Sequence, residues 1–358
     1  EEIILKNQAI EDFWRLEELP GKLEKVISSP LSRNYRTTTK RHLIYHNSKF
    51  DLVLSDDEKA NEYNVELEQK KHIDIYDFIL SELQKKSFHL ISNNCSYVTI
   101  RGNYKEYSVI FNMHIIHAGI VRKLKLLVET IRKNIPEVTS IFICGDELNY
   151  QEQPCKTSFK NLFGCDKLFA EFSGRKYSFY PTCFSQVNYS IVPEMLIKIR
   201  ELLCPSDVDR LVDLFCGYGL FSLYLAPEYK QTIGIDGDEL AIKSAIENGK
   251  HGIKAKIRFY AKHIHPGTLP DFLPNKEMDE TPENFIISPF GSYTENGLIE
   301  CIAERKPDKI LQIFYKTDKI SNEIEKWTQN GYHVSKVVPI DINPGLASLG
   351  ILLLLCSN

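Results

Sequence analysis

The stretch that most constrains the fold of this chain runs from Leu211 to Leu223 and reads LVDLFCGYGLFSL. An apolar run ends in an acid, a Gly-x-Gly turn follows, and a second apolar period begins, which predicts a buried parallel strand, a tight loop and a helix. Glycines let the backbone turn sharply and approach a ligand closely, and the first N–H groups of a helix are available donors. The pattern therefore predicts a cofactor cradle, although a strand-helix turn without any ligand is the simpler alternative.

A second apolar segment supports the cofactor hypothesis. It runs from Gln231 to Ile235 and ends at Asp236, 23 residues after Asp213. An acid at the end of the second strand is placed to accept hydrogen bonds from the hydroxyls of a ribose. A dinucleotide fits this loop less well, because the third glycine of the dinucleotide fingerprint is absent and the loop is shorter. A dinucleotide-dependent enzyme remains the third hypothesis.

The motif DLFCGYGLFS, followed by Gly-Ile-Asp at 234–236 and by Ala241, Ala245 and Asn248 at helical spacing, resembles class I S-adenosylmethionine methyltransferases. Within that class it is most similar to the RNA uracil-C5 methyltransferases. Residues 184–188 (FSQVN) match that family's Phe-Gln-Val-Asn signature, with a serine inserted after the phenylalanine. The resemblance implies S-adenosylmethionine as cofactor and tRNA or rRNA as substrate. The residues expected to bind the cofactor are Gln186, Asp213, Phe215, Gly217, Gly219, Asp236 and Ser288. From its position alone, Gln186 could equally cap a helix or serve as a hinge.

Length and pattern divide the 358 residues into three predicted parts. Residues 1–22 form an amphipathic helical arm that is expected to pack on the first domain. Residues 23–182 alternate helices with antiparallel-looking strands, which indicates an α+β domain, with a polar insertion at 47–75 and a strand at 89–91. Residues 183–358 alternate strands and helices, as in a doubly wound, Rossmann-like α/β methyltransferase sheet.

A local excess of positive charge marks the start of the central domain. The chain as a whole carries a net charge of −4, but six Lys or Arg stand against one acid between Pro20 and His46. Basic residues interleaved with tyrosines are typical of a surface that contacts phosphates and stacks on bases. An edge strand protected by its charges would show the same pattern. Since this segment also resembles the start of the family's RNA-binding domain, we predict RNA contacts for Arg33, Arg36, Lys40 and Arg41.

The expected reaction chemistry is missing from the sequence. Carbon 5 of uracil is a poor nucleophile, so its methylation needs a thiolate that adds to C6 and a base that removes the C5 proton. The family's nucleophilic cysteine aligns with Tyr315, and its basic glutamate aligns with Gly350. The family's Asp-Pro-Pro-Arg motif is replaced by Ser-Pro-Phe-Gly-Ser-Tyr at 288–293. Cys301 is expected on a helix, in the core. No residue of this chain is therefore assigned a catalytic role.

These observations predict a homologue of RNA uracil-C5 methyltransferases that has lost the covalent chemistry and acts as an RNA-binding pseudoenzyme or assembly factor. Ribosome-associated proteins are conceivable partners of such a factor. The alternative is an active RNA methyltransferase that modifies a nitrogen or a hydroxyl oxygen, since a lone-pair nucleophile needs orientation and desolvation but no covalent cysteine. Lys316, Asp318 and Tyr315 are the nearest candidates for its acid–base groups.

Cysteine usage and hydropathy bear on the compartment. Nine scattered cysteines suit a reducing cytoplasm, and the chain has no Cys-x-x-Cys pair. Although Cys144, Cys155 and Cys165 lie near one another in sequence, no metal site is predicted. The family's iron–sulfur cysteine run is missing unless it precedes residue 1. No apolar run reaches the roughly 18 residues of a membrane span. We expect a cytoplasmic protein, or an organellar one if a targeting segment precedes residue 1.

Overall fold

The computed structural model describes residues 1–54, 66–145, 159–250, 256–275, 278–289 and 294–358. The chain forms two compact units. The first unit comprises Glu1–Pro30, Glu171–Ser185 and Ser190–Asn358, and the second comprises Leu31–Ala170 and Gln186–Tyr189. The units are thus interleaved along the chain, whereas the sequence pattern predicts consecutive parts.

The described residues form strands and α-helices in both units. The strands are β1 Lys22–Leu23, β2 Thr38–His46, β3 Lys49–Val53, β4 Cys95–Gly102, β5 Tyr107–Met113, β6 Val138–Gly145, β7 Phe159–Gly164, β8 Leu168–Phe172, β9 Arg175–Phe179, β10 Arg210–Leu214, β11 Gln231–Asp236, β12 Ile257–Ala261, β13 Glu283–Ile287, β14 Lys309–Phe314, β15 Tyr332–Ile340 and β16 Gly350–Ser357. The helices are α1 Glu2–Leu16, α2 Lys70–Leu83, α3 His89–Ser92, α4 Ala118–Asn134, α5 Val192–Leu203, α6 Leu220–Leu225, α7 Glu239–Gly249, α8 Leu269–Phe272, α9 Leu298–Glu304 and α10 Ile320–Gln329.

The first unit is built on an eight-stranded sheet in the order β1-β15-β16-β14-β13-β10-β11-β12. The strands from β14 to β12 are parallel, and β16 runs antiparallel to both β14 and β15. Every residue of β10 and β13 is buried, which explains why these strands read as apolar runs without alternation. The predicted α/β, doubly wound sheet is confirmed. Its strand order places the carboxyl ends of β10, β11, β13 and β14 at one edge of the sheet.

The N-terminal arm belongs to the first unit, not to the central domain on which it was expected to pack. Ile10 and Trp14, four residues apart on one face of α1, lie in the core of the first unit. The indole of Trp14 donates a hydrogen bond to the carbonyl oxygen of Pro20, 3.0 Å away. After this turn, β1 pairs in parallel with β15 as the edge strand of the sheet. The apolar face of α1 thus covers the sheet, which is why the arm is part of this unit.

A buried ion pair fixes α1 to the loop before β16. The ammonium of Lys6 lies 2.7 Å from the carboxylate of Asp341, and both residues are buried. Replacing Lys6 with methionine is expected to lower the free energy of unfolding by about 2 kcal/mol, because Asp341 loses a charged hydrogen-bond partner. Arg15→Met, which breaks an exposed pair with Asp12, should cost less than about 1 kcal/mol. Urea unfolding of both variants measures the difference, and equal losses would contradict the assignment.

The second unit is an α+β module with a six-stranded sheet in the order β3-β2-β4-β5-β6-β7. Its strands are antiparallel except for the β5–β6 pair. Helices α2 and α4 contribute Ile75, Ile79, Leu124 and Leu127 to its core. The strand predicted at 89–91 is wrong, since His89–Ser92 is a helical turn that packs Ile91 into this core. The insertion predicted at 47–75 contains β3 and the start of α2, while residues 55–65 lie outside the described part.

Two kinds of feature are absent from the described residues. Among these residues, no helix is both long enough and apolar enough to cross a membrane. The same residues hold no cluster of three or more His, Cys, Asp or Glu side chains suited to a metal ion. Cys155, one of the three cysteines considered above, lies outside the described ranges.

Candidate cofactor and reaction site

The loop after β10 adopts the sharp turn that its glycines predict. Phe215, Gly217 and Gly219 have φ values of 64°, 55° and 84°, in the left-handed region that favours glycine. The backbone N–H groups of Phe215 and Cys216 both donate to the carbonyl oxygen of Ile235. A Cβ atom on Gly217 would meet no atom within 4 Å, whereas one on Gly219 would lie 3.2 Å from Ala245 and Phe259. Gly217 therefore borders open space, and Gly219 packs the loop against the sheet and α7.

Asp213 is an internal support of this loop. It is fully buried, and one carboxylate oxygen accepts hydrogen bonds from the backbone N–H and the hydroxyl of Ser222, at 3.0 and 2.5 Å. The other oxygen has no hydrogen-bond partner among the described residues. Burial raises the pKa of Asp213 to about 7; the Ser222 hydrogen bonds oppose this shift and the Asp236 charge adds to it. The N–H of Ser222, one of the first N–H groups of α6, is thus already used within the protein.

Asp236 joins the second strand to the loop. One of its oxygens accepts from the backbone N–H of Gly217 and the other from that of Asp238, both at 2.8 Å. Burial raises the pKa of this carboxyl, while these backbone hydrogen bonds hold it down. A carboxylate has about four lone-pair sites, so Asp236 can still accept bonds from a diol. Asp236 and Gly217 are therefore brought together as the sequence predicts.

Ser288 and Gln186 lie in different surroundings. Ser288 follows β13, its N–H donates to the carbonyl oxygen of Leu214, and its hydroxyl donates to that of Phe215 at 3.3 Å. It therefore supports the first residue of the loop. Gln186 belongs to the second unit, where its carbonyl oxygen accepts a hydrogen bond from the hydroxyl of Thr37 at 3.0 Å.

The position expected for the nucleophile lies at the carboxyl end of β14. Tyr315 directly follows the strand and is half-buried, and its ring packs edge-on against that of Phe184 with 6.0 Å between centroids. A cleft at this strand end is lined by Pro289, Gln312, Ile313, Phe314, Tyr315, Lys316, Lys319 and Glu323. The expected Asp-Pro-Pro-Arg position is described only at Ser288 and Pro289, because residues 290–293 lie outside the described ranges.

The position expected for the base is tightly packed. Gly350 is the first residue of β16, is buried, and pairs with Ile340. A Cβ atom here would lie 3.2 Å from two side-chain carbons of Ile342 and 3.4 Å from the carbonyl oxygen of Phe314. A side chain at this position would press on Ile342, which would have to shift by a few tenths of an ångström.

Comparison with known proteins agrees with the architecture. No protein-family model matches the chain. An uncharacterised RNA methyltransferase of Thermosynechococcus vestitus is 25% identical over 199 residues, which cover 55% of this chain and 42% of that protein. A 23S rRNA (uracil(1939)-C(5))-methyltransferase of Vibrio vulnificus is 25% identical over 238 residues, which cover 64% of this chain and 53% of that protein. The chain thus spans about half the length of the curated relatives that it matches.

The fold comparison extends over nearly the whole chain. The Pyrococcus abyssi tRNA (uracil-54, C5)-methyltransferase, solved in complex with S-adenosyl-L-homocysteine, superposes with a TM-score of 0.67 and 14% identity, covering 99% of this chain and 82% of that chain. In sequence the chain is similar to curated RNA methyltransferases, and in fold it is similar to a tRNA (uracil-54, C5)-methyltransferase.

One cysteine does lie in the loop after β10, beside the carboxylates of Asp213 and Asp236. Cys216 is buried, and a Cβ atom on Gly234 would lie 2.9 Å from its sulfur, so the thiol points toward β11. Burial, together with the charges of Asp213 and Asp236, raises the pKa of Cys216 well above its usual range. A protonated thiol that faces the sheet is a poor nucleophile. Cys216 is therefore a core residue of the loop.

Cys301 does not supply the missing thiolate either. It lies on α9, as expected, and is half-buried. Its sulfur is 3.7 Å from the carbonyl oxygen of Pro266, to which the thiol donates. Burial raises the pKa of Cys301, and the charge of Glu304 adds to this effect. Neither cysteine thus has the thiolate character that conjugate addition requires.

The four basic residues predicted to contact RNA differ in accessibility. Arg33 is exposed, with Glu66 at 3.4 Å, and Arg36 and Lys40 are half-buried. Arg41 is buried, and its guanidinium lies 2.7 Å from the carboxylate of Glu68. Alternation along β2 turns Arg41 toward the helices, so its predicted phosphate contact is not compatible with this arrangement. The ammonium of Lys40 lies over the ring of Tyr97 on β4, a contact that the sequence alone does not reveal.

Proposed function

We propose that this chain binds S-adenosylmethionine and RNA but does not methylate uracil at carbon 5. In this proposal it acts on tRNA or rRNA as an RNA-binding pseudoenzyme or assembly factor, in the cytoplasm and alongside ribosome-associated proteins. The observation that carries the proposal is Tyr315 at the end of β14, where the related enzymes need a thiolate. A phenol, with a usual pKa near 10, is a poor replacement at neutral pH.

The cofactor half of the proposal is supported by the loop geometry. The open space beside Gly217 leaves room for a ligand against the backbone, and the Asp236 carboxylate has remaining lone pairs for a ribose diol. Phe215, Gly219 and Ser288 would hold the loop in this shape, and Asp213 would support it from inside. Gln186 is proposed to contact the methionine end, by resemblance alone. The bound cofactor would supply an electrophilic methyl group on a sulfonium.

The loss of C5 chemistry is supported at two separate positions. A uracil at this site would meet no thiolate at residue 315, so no enolate could form to attack the methyl group. It would also meet no carboxylate at residue 350, so the C5 proton would have no acceptor there. A side chain at residue 350 would also press on Ile342, so the packing at this position does not favour a glutamate.

An active methyltransferase that modifies a ring nitrogen or a hydroxyl oxygen is the second candidate. The retained Gly217, Gly219 and Asp236 favour it, because a cofactor loop has little use without methyl transfer. A lone-pair nucleophile needs positioning and desolvation, which a cleft can supply. Lys316 and Tyr315 line the cleft at the end of β14 and would face such a substrate. A dinucleotide-dependent enzyme is the least supported reading, since its third glycine is absent.

Calorimetry with S-adenosylmethionine, followed by mass spectrometry of tRNA and rRNA fragments after incubation, tests the proposal. We expect cofactor binding that Gly217→Val abolishes, because the new side chain would fill the open space. Gly331→Val is the matched control, since Gly331 also has a positive φ and open surroundings. Methylation of uracil C5 would contradict the pseudoenzyme, and methylation of a nitrogen or oxygen would favour the second candidate. Absence of cofactor binding would contradict the cofactor half.

The double variant Tyr315→Cys with Gly350→Glu is expected to remain inactive on uracil C5. The new glutamate would clash with Ile342, and the family's Asp-Pro-Pro-Arg sequence would still be absent. Incubation of this variant with S-adenosylmethionine and tRNA, analysed for methylated uracil, measures the outcome. Recovered activity would show that the loss is confined to two side chains and would contradict this account.

A further inference from the structure

One face of the second unit's sheet has the composition of a binding surface. The other face packs against α2 and α4, and alternation sends the remaining side chains of β2, β3 and β4 to the opposite side. There, the side chains of these three strands are exposed or half-buried, except for that of Arg101, which is buried. We call it the open face and define it by Lys40, His42, Lys49, Tyr97 and Thr99.

The open face concentrates positive charge on a chain whose net charge is −4. Lys40 and Lys49 lie on adjacent strands, and His42 and His46 alternate with Lys40 along β2. On the open face these strands carry one acid, Asp51, whose carboxylate accepts a hydrogen bond from the backbone N–H of Leu52. The face therefore attracts anions locally, although the chain as a whole does not.

An aromatic ring lies among these charges. The ammonium of Lys40 is 3.7 Å from the ring centroid of Tyr97, and the ring of His42 is 5.6 Å away. Next to it, the amide of Asn112 donates to the carbonyl oxygen of Tyr97 and to the hydroxyl of Thr99. Tyrosine rings that bind a cation at their face also stack on nucleobases, and each stacked base adds to the affinity.

We propose that the open face binds single-stranded RNA, with a base that displaces the Lys40 ammonium from the ring of Tyr97 and the backbone phosphates near Lys40 and Lys49. The inference rests on the proposed RNA binding of this chain and assigns it to a surface. A flat sheet with a central ring suits unpaired bases, because a duplex buries its base faces and offers only edges and phosphates. An acidic peptide would use the lysines but gain little from the ring.

The test measures binding of the full chain to a fluorescent oligouridylate of about twelve nucleotides, a length within the range of known single-strand sites. Tyr97→Leu is expected to weaken binding about tenfold, and Tyr97→Phe to retain it. Tyr45→Leu is the matched control, because Tyr45 is 67% exposed on the same strand as Lys40 but alternates to the other face. Lys40→Gln should reduce the slope of log affinity against log salt by about one.

The outcomes separate this inference from the proposed function. If only Tyr97→Leu weakens RNA binding, and its affinity for polyphosphate is unchanged, base stacking on the open face is supported. If Tyr97→Leu and Tyr45→Leu weaken RNA binding equally, or if Tyr97→Leu retains wild-type affinity, the open face is not the binding surface. Either result would leave RNA binding elsewhere on the chain intact. A wild-type chain that binds no RNA would overturn both. Unchanged melting temperatures of the variants exclude misfolding as the cause.

Discussion

Replacing Glu283 with alanine is expected to lower the free energy of unfolding by about 3–5 kcal/mol. Glu283 is fully buried at the start of β13 and lies 2.7 Å from both Arg210 and Arg305. Arg210 is itself only 2% exposed, and its other contacts are Asp279 and Gln231. Removing the carboxylate leaves a buried guanidinium with too little negative charge around it, so the folded state loses more than one ion pair.

The matched control is Glu228→Ala. Glu228 pairs with Arg200 at 2.6 Å, a distance similar to that of the buried pair, but this Arg side chain is 53% exposed. Solvent can replace the lost partner there, and we expect a change below about 1 kcal/mol. Urea unfolding measures the free energy of unfolding of both variants, and the two values are compared at equal m-values. Similar destabilisation by the two substitutions would show that burial does not decide the strength of these pairs.

Asp213→Asn is expected to change the pH dependence of stability. The pKa of Asp213 is about 7 in the folded state, because of burial, and near 3.9 in an unfolded chain. Between these values the folded state binds the extra proton, so the free energy of unfolding falls as pH rises, by at most about 1.4 kcal/mol per pH unit. The stabilising contribution is complete below about pH 4 and is lost as pH passes 7.

The asparagine variant should therefore lack this component. Its amide can still accept the Ser222 hydrogen bonds at every pH, so its stability relative to wild type should increase by roughly 2–3 kcal/mol from pH 5 to pH 7. Asp12→Asn on the exposed face of α1 serves as the control and should show no such trend. A relative stability that is constant with pH, or that falls, would contradict the protonated carboxyl.

The sequence predicted the elements whose signal is local. The apolar runs of β10 and β13 could be read directly, as could the left-handed glycines and the acid that ends β11. Burial and turn geometry impose strict residue choices at these positions. The roles of the two acids were harder to predict. Asp213 and Asp236 look alike in sequence, but only the fold shows that Asp213 is sealed against Ser222 while Asp236 reaches the loop.

Other features depend on contacts between distant segments. Arg41 lies on the buried face of β2, and its partner Glu68 stands 27 residues further along the chain, within the segment 47–75 that the sequence predicts as a polar insertion. The helical turn at His89–Ser92 contains β-branched and apolar residues that suit a short strand equally well. The packing of the N-terminal arm was predicted wrongly, because an amphipathic pattern shows that one face of a helix is buried but not which sheet it covers.

The packing of Ile342 over Gly350 has a consequence for the redesign of this position. A side chain at residue 350 would meet an aliphatic neighbour at 3.2 Å, so Ile342 would have to shift before a carboxylate could fit. Engineering a proton acceptor here would therefore combine the change at residue 350 with a smaller side chain at residue 342.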